Sequence, residues 1–338
     1  MNVKVILGLF QETFQEWSND KASRLSAALA YYTIFSIAPL LIIVIAIAGA
    51  VFGDEAASGQ IFGQIQGLVG AAGAKLIQDA IKNASQPKQS AIASIISVIV
   101  LLFGATGLFT ELQDALNTIW EVQPKPGRTV KNMVRVRVLS FAMILGIGFL
   151  LLVSLTTSTV LAALVAYFNN LLPGVDFIWR VVNFILGFVV TTVLFGLIFK
   201  VLPDVKITWS DVWIGAALTS LLFSLGRFVL GQYLGNGSFG SAYGAAGSVV
   251  VVIAWVYYAA QILFFGAEFT QVYARRYGSQ IVPDKNAIPM TDKARDNLGI
   301  KSKGTGQPSA KKRNSSFINR LFGKLTQGKR LKRKSKNQ

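Results

Sequence analysis

From Val212 to Ala267 the chain carries one charged residue, Arg227. A soluble domain has no interior large enough to hide such a run. A helix crosses bilayer hydrocarbon with about 20 mostly apolar residues, so this stretch predicts two crossings. The turn chemistry of Gly235-Asn-Gly-Ser-Phe-Gly240 divides it. Four more uncharged windows follow the same logic: Leu25–Gly53, Gln89–Thr110, Val138–Val175 and Val181–Phe199. The third is too long for one crossing, and Asn169-Asn-Leu-Leu-Pro-Gly174 ends it near Tyr167. Six spans result, near 25–52, 89–116, 138–167, 178–202, 209–231 and 243–271. Composition agrees. Charged residues make up 14% of the chain and mean hydropathy is +0.50. Soluble chains carry about 25% charge. The predicted fold class is all-α, a polytopic integral membrane protein whose membrane domain covers 25–278.

The charges are unevenly placed. Up to Val272 the chain holds 15 Lys/Arg and 13 Asp/Glu, while the remainder holds 18 and 3. Short flanks set orientation through their basic residues. With both termini inside, inner segments 1–24, 117–137 and 200–208 hold 3, 5 and 2 Lys/Arg, against 3, 1 and 0 in outer segments 54–88, 166–180 and 232–242. Cytoplasmic termini are therefore expected. Residues 1–24 read as an interfacial amphipathic helix, because Val3, Leu7, Phe10, Phe14 and Trp17 recur at helical spacing. In the outer segment 54–88, Ile61, Ile65, Leu68, Val69, Leu76, Ile77 and Ala80 suggest helices packed on the outer face, although five glycines weaken that reading.

Residues 279–338 read as a basic, largely disordered cytoplasmic tail. Within it, Phe317, Leu321 and Phe322 suggest an amphipathic helix over 314–326. Together with Lys311, Lys312, Arg313, Lys332 and Arg333 it would contact anionic lipid headgroups. Basic patches also attract nucleic-acid phosphate, but no recognition module accompanies this one, so no specific nucleic-acid partner is expected.

There is no His and no Cys. That excludes disulfides, thiolate nucleophiles, Ser-His-Asp catalysis and His-containing zinc sites. No cofactor, metal or catalytic residue is assigned. The formal G-x-G-x-x-G of Gly235–Gly240 lacks the strand and βαβ context of a dinucleotide site. Gly240, Gly244 and Ser248 instead suit close helix packing, with a broken helix lining a site as the alternative.

Three groups could form a pathway or couple an ion. Glu268 ends a long uncharged run and shares one helix side with Tyr257 and Gln261. An ionisable group in a span is a functional candidate; alternatively Glu268 pairs with Arg275 or Arg276 at the inner interface. Glu111 and Asp114, at i, i+3, could bind a cation or relay a proton, or pair with Lys125, Arg128 or Lys131. Tyr32 and Ser36 share a face just before Pro39, which frees the carbonyl of Phe35; the group serves either a pathway or a packing kink.

Three segments carry a family resemblance. Ser26-Ala-Ala-Leu-Ala-Tyr-Tyr-Thr-Ile-Phe-Ser-Ile-Ala-Pro39 resembles the first-span signature of the YihY/BrkB membrane-protein family. Thr110-Glu-Leu-Gln-Asp-Ala-Leu-Asn-Thr-Ile-Trp120 is similar to its pattern after the second span. Tyr243–Ser248, Trp255–Tyr258 and Phe265-Gly-Ala-Glu-Phe269 resemble its last-span signature. The resemblance covers roughly 5–278. It implies about six spans in the bacterial inner membrane and no settled activity. The family has carried a ribonuclease BN label, and one member is named as a virulence factor. The ribonucleases of that name use His clusters, which this chain lacks, so a non-enzyme is expected.

The leading expectation is a transporter or permease type of protein for an unknown small solute or ion, with possible ion or proton coupling. A membrane scaffold or lipid-organising protein using the basic tail is the alternative. The sequence names no solute and no oligomeric state.

Overall fold

The computed structural model describes residues 3–84, 107–126, 176–235, 246–278 and 281–300, with isolated positions between 104 and 153. The chain divides into two compact units, Met1–Met290 and Thr291–Gln338. The first is helical with two small sheets.

Helix α1 (Val3–Asn19) turns into α2 (Ala22–Phe52) through Lys21, whose φ of 54° is left-handed. The buried side of α1 is Leu9, Thr13, Glu16 and Asp20. The stripe expected to be its apolar face lies beside that line. Its Phe10 and Trp17 are half-buried, and its Leu7 and Phe14 are exposed. Thr13 satisfies its hydroxyl on the carbonyl of Leu9 at 2.8 Å. Ser26 and Thr33 do the same on Ala22 and Leu29, at 2.8 and 2.7 Å. Backbone bonding of this kind lets hydroxyls sit in an apolar medium.

With its 31 residues α2 is about 46 Å long, more than the roughly 30 Å of a hydrocarbon core. It runs through Pro39 and ends at Gly53, whose φ of 84° suits glycine. The next helical run, α3 (Asp54–Ala84), is broken at Gly70 by φ 78° and ψ 171°. Helix was expected here, but on the outer face. Instead Val69 and Ile77 bury in one cluster with Ile34, Ile37 and Leu41 of mid-α2 and with Val252, Trp255 and Val256. The segment therefore lies beside the long helices. Gly73 eases this approach: a Cβ there would sit 3.2 Å from Val252 Cγ2.

Helix α4 (residues 107–119) buries Phe109, Leu112, Leu116 and Ile119, one face at helical spacing. It is followed by α5 (Asp176–Val201), α6 (Trp209–Gly235) and α7 (Gly247–Tyr277). Among the described residues four helices are long and apolar enough to cross a membrane: Ala22–Ala50, Phe184–Val201, Trp209–Val229 and Gly247–Tyr277. These match four of the six expected spans. The other two, near 89–116 and 138–167, fall mostly outside the described residues, as do Gly240 and Gly244.

Two sheets tie the connections together at the α1 end. Strand β1 (Val122–Pro124) pairs antiparallel with β4 (Ala287–Pro289), and β2 (Val205–Lys206) with β3 (Val282–Pro283). Residues 281–290 thus belong to the first unit. For residues 281–290 the reading of a largely disordered tail is corrected: the segment's polar backbone is satisfied by two partner connections that its composition does not reveal. In the second unit, α8 (Asp292–Asn297) is capped by Thr291, whose Oγ1 accepts from the amide of Ala294 at 3.3 Å. The predicted helix over 314–326 and the tail residues Lys311, Lys312, Arg313, Phe317, Leu321, Phe322, Lys332 and Arg333 lie outside the described residues.

Candidate functional site

Two features concentrate chemistry: a cavity among the long helices, and a buried polar layer at the α1 end. The cavity has a volume of about 900 Å³. Its walls come from α2 (Leu29), α3 (Gln64, Gly67, Leu68), α4 (Leu112), α5 (Gly187 to Phe195), α6 (Phe223, Arg227, Phe228) and α7 (Trp255 to Leu263). Among the described residues the lining is mostly aliphatic and aromatic, with Gln64, Thr191 and Arg227 as its polar side chains apart from the Trp255 indole. Thr191 donates to the carbonyl of Gly187 at 2.7 Å.

None of the seven pathway candidates read from the sequence lines this cavity among its described walls. Helical phase explains the miss. Trp255, Ala259 and Leu263 point α7 toward the cavity, and Tyr257, Gln261 and Glu268 lie on another side. Tyr257 is exposed. Gln261 lines a second cavity of about 380 Å³ with Phe14, Trp17, Gly226 and Tyr258. There Gln261 Oε1 and Trp17 Nε1 are buried without a hydrogen-bond partner among the described residues. Tyr32 and Ser36 face α4 instead: a Cβ on Gly107 would lie 3.4 Å from Ser36 Oγ, and one on Gly104 3.0 Å from Pro39 Cγ. The group at Pro39 is therefore a close helix contact. Ser248 is half-buried near the start of α7.

Glu268 is fully buried. The arginines considered as its partners are held by α1. Arg275 donates to Glu12 at 2.8 Å and Glu16 at 3.0 Å, and Arg276 pairs with Glu12. Sequence reasoning looked along α7 for the partner of these cations, whereas the carboxylates that hold them come from the opposite end of the chain.

Glu111 and Asp114 lie on the outer side of α4, half-buried and exposed. The neighbouring Gln113 and Asn117 are buried and make the functional-looking contact. Asn117 donates to Asp204 Oδ2 at 3.0 Å and accepts the Asp204 amide at 2.8 Å. Gln113 adds a 3.3 Å bond to the same oxygen. Lys125, considered as a partner for Glu111 and Asp114, donates to the carbonyl of Lys285 at 2.6 Å. Arg128 and Lys131 are outside the described residues. Gln271 of α7 donates to the carbonyl of Ile119 at 2.8 Å. Sequence reasoning missed Asp204 and Gln271, and gave Gln113 and Asn117 no role of their own. The available signal was a single carboxylate, beside Pro203, in a short inner loop.

Helices α6 and α7 meet through a reciprocal arrangement. Thr219 bonds the carbonyl of Gly215 and Thr270 that of Gly266, both at 2.7 Å. Each threonine also presses on the other helix's glycine. A Cβ on Gly215 would lie 1.7 Å from Thr270 Oγ1, and one on Gly266 1.8 Å from Thr219 Oγ1.

Residues 13–291 match the family described as Virulence factor BrkB. The chain belongs to this family. The match runs through β3 and β4, beyond the end of the resemblance seen in sequence. A UPF0761 membrane protein of Alcanivorax borkumensis is 26% identical over 79% of this chain and 60% of its own length. One from Mannheimia succiniciproducens is 23% identical over 80% of this chain and 90% of its own. A third, from Teredinibacter turnerae, is 26% identical over 82% of this chain and 63% of its own. The chain thus spans under two thirds of the first and third relatives. No solved structure matches. With its apolar helices, this BrkB-family chain is a membrane protein.

Proposed function

We propose that this BrkB-family protein is a transporter of permease type that moves a small molecule through the cavity between α2, α3, α5, α6 and α7. The cavity carries the reading. Its volume of about 900 Å³ falls within the range of small-molecule sites, about 300–1,000 Å³. Its apolar walls with few polar groups are the usual composition of such sites. A lipid scaffold has no need of a chamber inside its membrane domain. No bond chemistry is assigned to the chain.

In this reading six helices cross the bacterial inner membrane and both termini are cytoplasmic, as the basic flanks favour. The exposed Leu7 and Phe14 of α1 then rest in the inner interface, beside its contacts with α7. Glu268 is the residue of choice for proton coupling, being an ionisable group wholly buried in a span.

The test is uptake by proteoliposomes of the full chain, across a panel of solutes and pH values. Gly187 lines the cavity, and a Cβ there meets nothing within 4 Å, so Gly187→Phe fills the chamber without a clash at Cβ. Saturable uptake abolished by Gly187→Phe is the expected result. Uptake unchanged in that variant overturns the cavity route. Uptake whose pH dependence survives Glu268→Gln overturns the coupling.

A further inference from the structure

Building on the transporter reading, we infer that the molecule the cavity takes is an anionic amphiphile, with its charged head at Arg227 and its hydrocarbon chain along the apolar walls. Arg227 is the single charge between Val212 and Ala267, and it lines the cavity. No carboxylate stands with it among the described lining residues. The two uncharged windows Gln89–Thr110 and Val138–Val175 contain no carboxylate either. An arginine in a membrane helix is costly unless it is watered or paired. Arg227 is exposed, and with no carboxylate among the described lining residues its charge is available to a ligand. Its planar fork of donors matches carboxylate and phosphate oxygens.

The other polar groups sharpen the choice. Gln64 of α3 adds an amide donor to the lining. The hydroxyl hydrogen of Thr191 is already committed to the Gly187 carbonyl. Donors thus come from Arg227, Gln64 and the Trp255 indole, and Arg227 is the one cation among the described lining residues, which suits one small anionic group. Away from that head the chamber is built from side chains such as Phe223, Trp255 and Leu263. Arg227 stands about five turns along α6 from Trp209, which places it roughly 27 Å from the α1 end of that helix. Leu29 lies only about two turns into α2, roughly 10 Å from the same end. The cavity thus extends along the helices, with its cation toward the far end. A chain-bearing anion fits that shape lengthwise, and a free inorganic anion leaves the apolar walls unused.

The experiment measures equilibrium binding to the full chain in nanodiscs of zwitterionic lipid, against empty nanodiscs. The probes are dodecanoate, dodecyl phosphate, dodecanol, dodecyltrimethylammonium, acetate and inorganic phosphate. The expected result is saturable binding of the two alkyl anions, the tighter one identifying the head group. Dodecanol, the alkyl cation and the chainless anions should bind at least about tenfold more weakly. Arg227→Gln should weaken the alkyl anions by about tenfold or more, as loss of a charged hydrogen bond does. Arg227→Lys should retain most of the binding, and thermal unfolding of both variants shows whether they are folded. Equal binding of dodecanol, or a folded Arg227→Gln that binds dodecanoate normally, overturns the anion preference and leaves the transporter reading standing. Inorganic phosphate binding as tightly as dodecyl phosphate overturns the amphiphile. Binding of no alkyl probe overturns the inference, while uptake of another solute blocked by Gly187→Phe would still support transport.

Discussion

Gly215 and Gly266 let α6 and α7 approach until each helix's threonine occupies the space above the other's glycine. In lipid, where apolar side chains gain little by leaving their surroundings, such close packing is a main source of helix association. Gly215→Ala puts a methyl where Thr270 Oγ1 stands, and the helices must separate. We expect a loss of about 1–3 kcal/mol, the usual range for an overpacked contact, read as a lower Tm in detergent. Thr270→Ala in the same chain removes the oxygen and should recover part of the loss. An unchanged Tm for Gly215→Ala would show that the contact is loose. Asn117 is the comparable polar position. Asn117→Ala strips a donor and an acceptor from buried Asp204. It should cost about 1–3 kcal/mol, chiefly through the Asp204 amide that loses its acceptor, since Gln113 still donates to the carboxylate. Glu268 was legible as an unusual residue because its long uncharged approach is written in the sequence. Its surroundings were not legible, because α1 arrives from the opposite end of the chain to hold Arg275 and Arg276.

At the scale of elements, the spans were readable because membrane burial is a property of each segment alone: about 20 apolar residues suffice. The matches at α2, α5, α6 and α7 have that cause. Strands of two or three residues carry no such local mark. Val282–Pro283 and Ala287–Pro289 become strands only because Val205–Lys206 and Val122–Pro124 are held within reach. The segment contributes further bonds: the amide of Asp284 to the carbonyl of Asp204, and that of Met290 to the carbonyl of Glu121, each at 2.8 Å. Two truncations separate this unit from the tail. A chain ending at Met290 should keep the melting behaviour of the full protein. A chain ending at Gly278 loses the ladders as well, and should be destabilised by at least about 2 kcal/mol at roughly 1 kcal/mol per hydrogen bond. Equal stability of the two would show that the sheets form without holding the helices. The placement of α3 was unreadable for a related reason. Its glycines lower helix propensity along the chain, yet Gly73 eases the approach to Val252.

On the scale of the whole molecule, the two ends of the bundle differ in character. The α1 end gathers the ion pairs of α1 with α7, the Asn117–Asp204 clamp and both sheets. The opposite end carries the Gly53 turn into α3 and, deeper, the cavity's arginine. In the orientation proposed above, from the basic flanks, the α1 end faces the cytoplasm. The chain has no cysteine, so single cysteines report on each end against a silent background. Glu55→Cys marks the far end and Lys285→Cys the turn between β3 and β4, and both positions are exposed. In right-side-out vesicles a membrane-impermeant maleimide should label the cysteine at 55 at once, and the one at 285 only after permeabilisation. The reverse pattern would invert the orientation and put the head group at Arg227 nearer the cytoplasm. Labelling of both cysteines without permeabilisation would contradict a bundle that crosses the membrane between them. The expected pattern has a mechanistic consequence: an amphiphile lying in the cavity then has its charged head toward the outer side and its chain toward the cytoplasmic side.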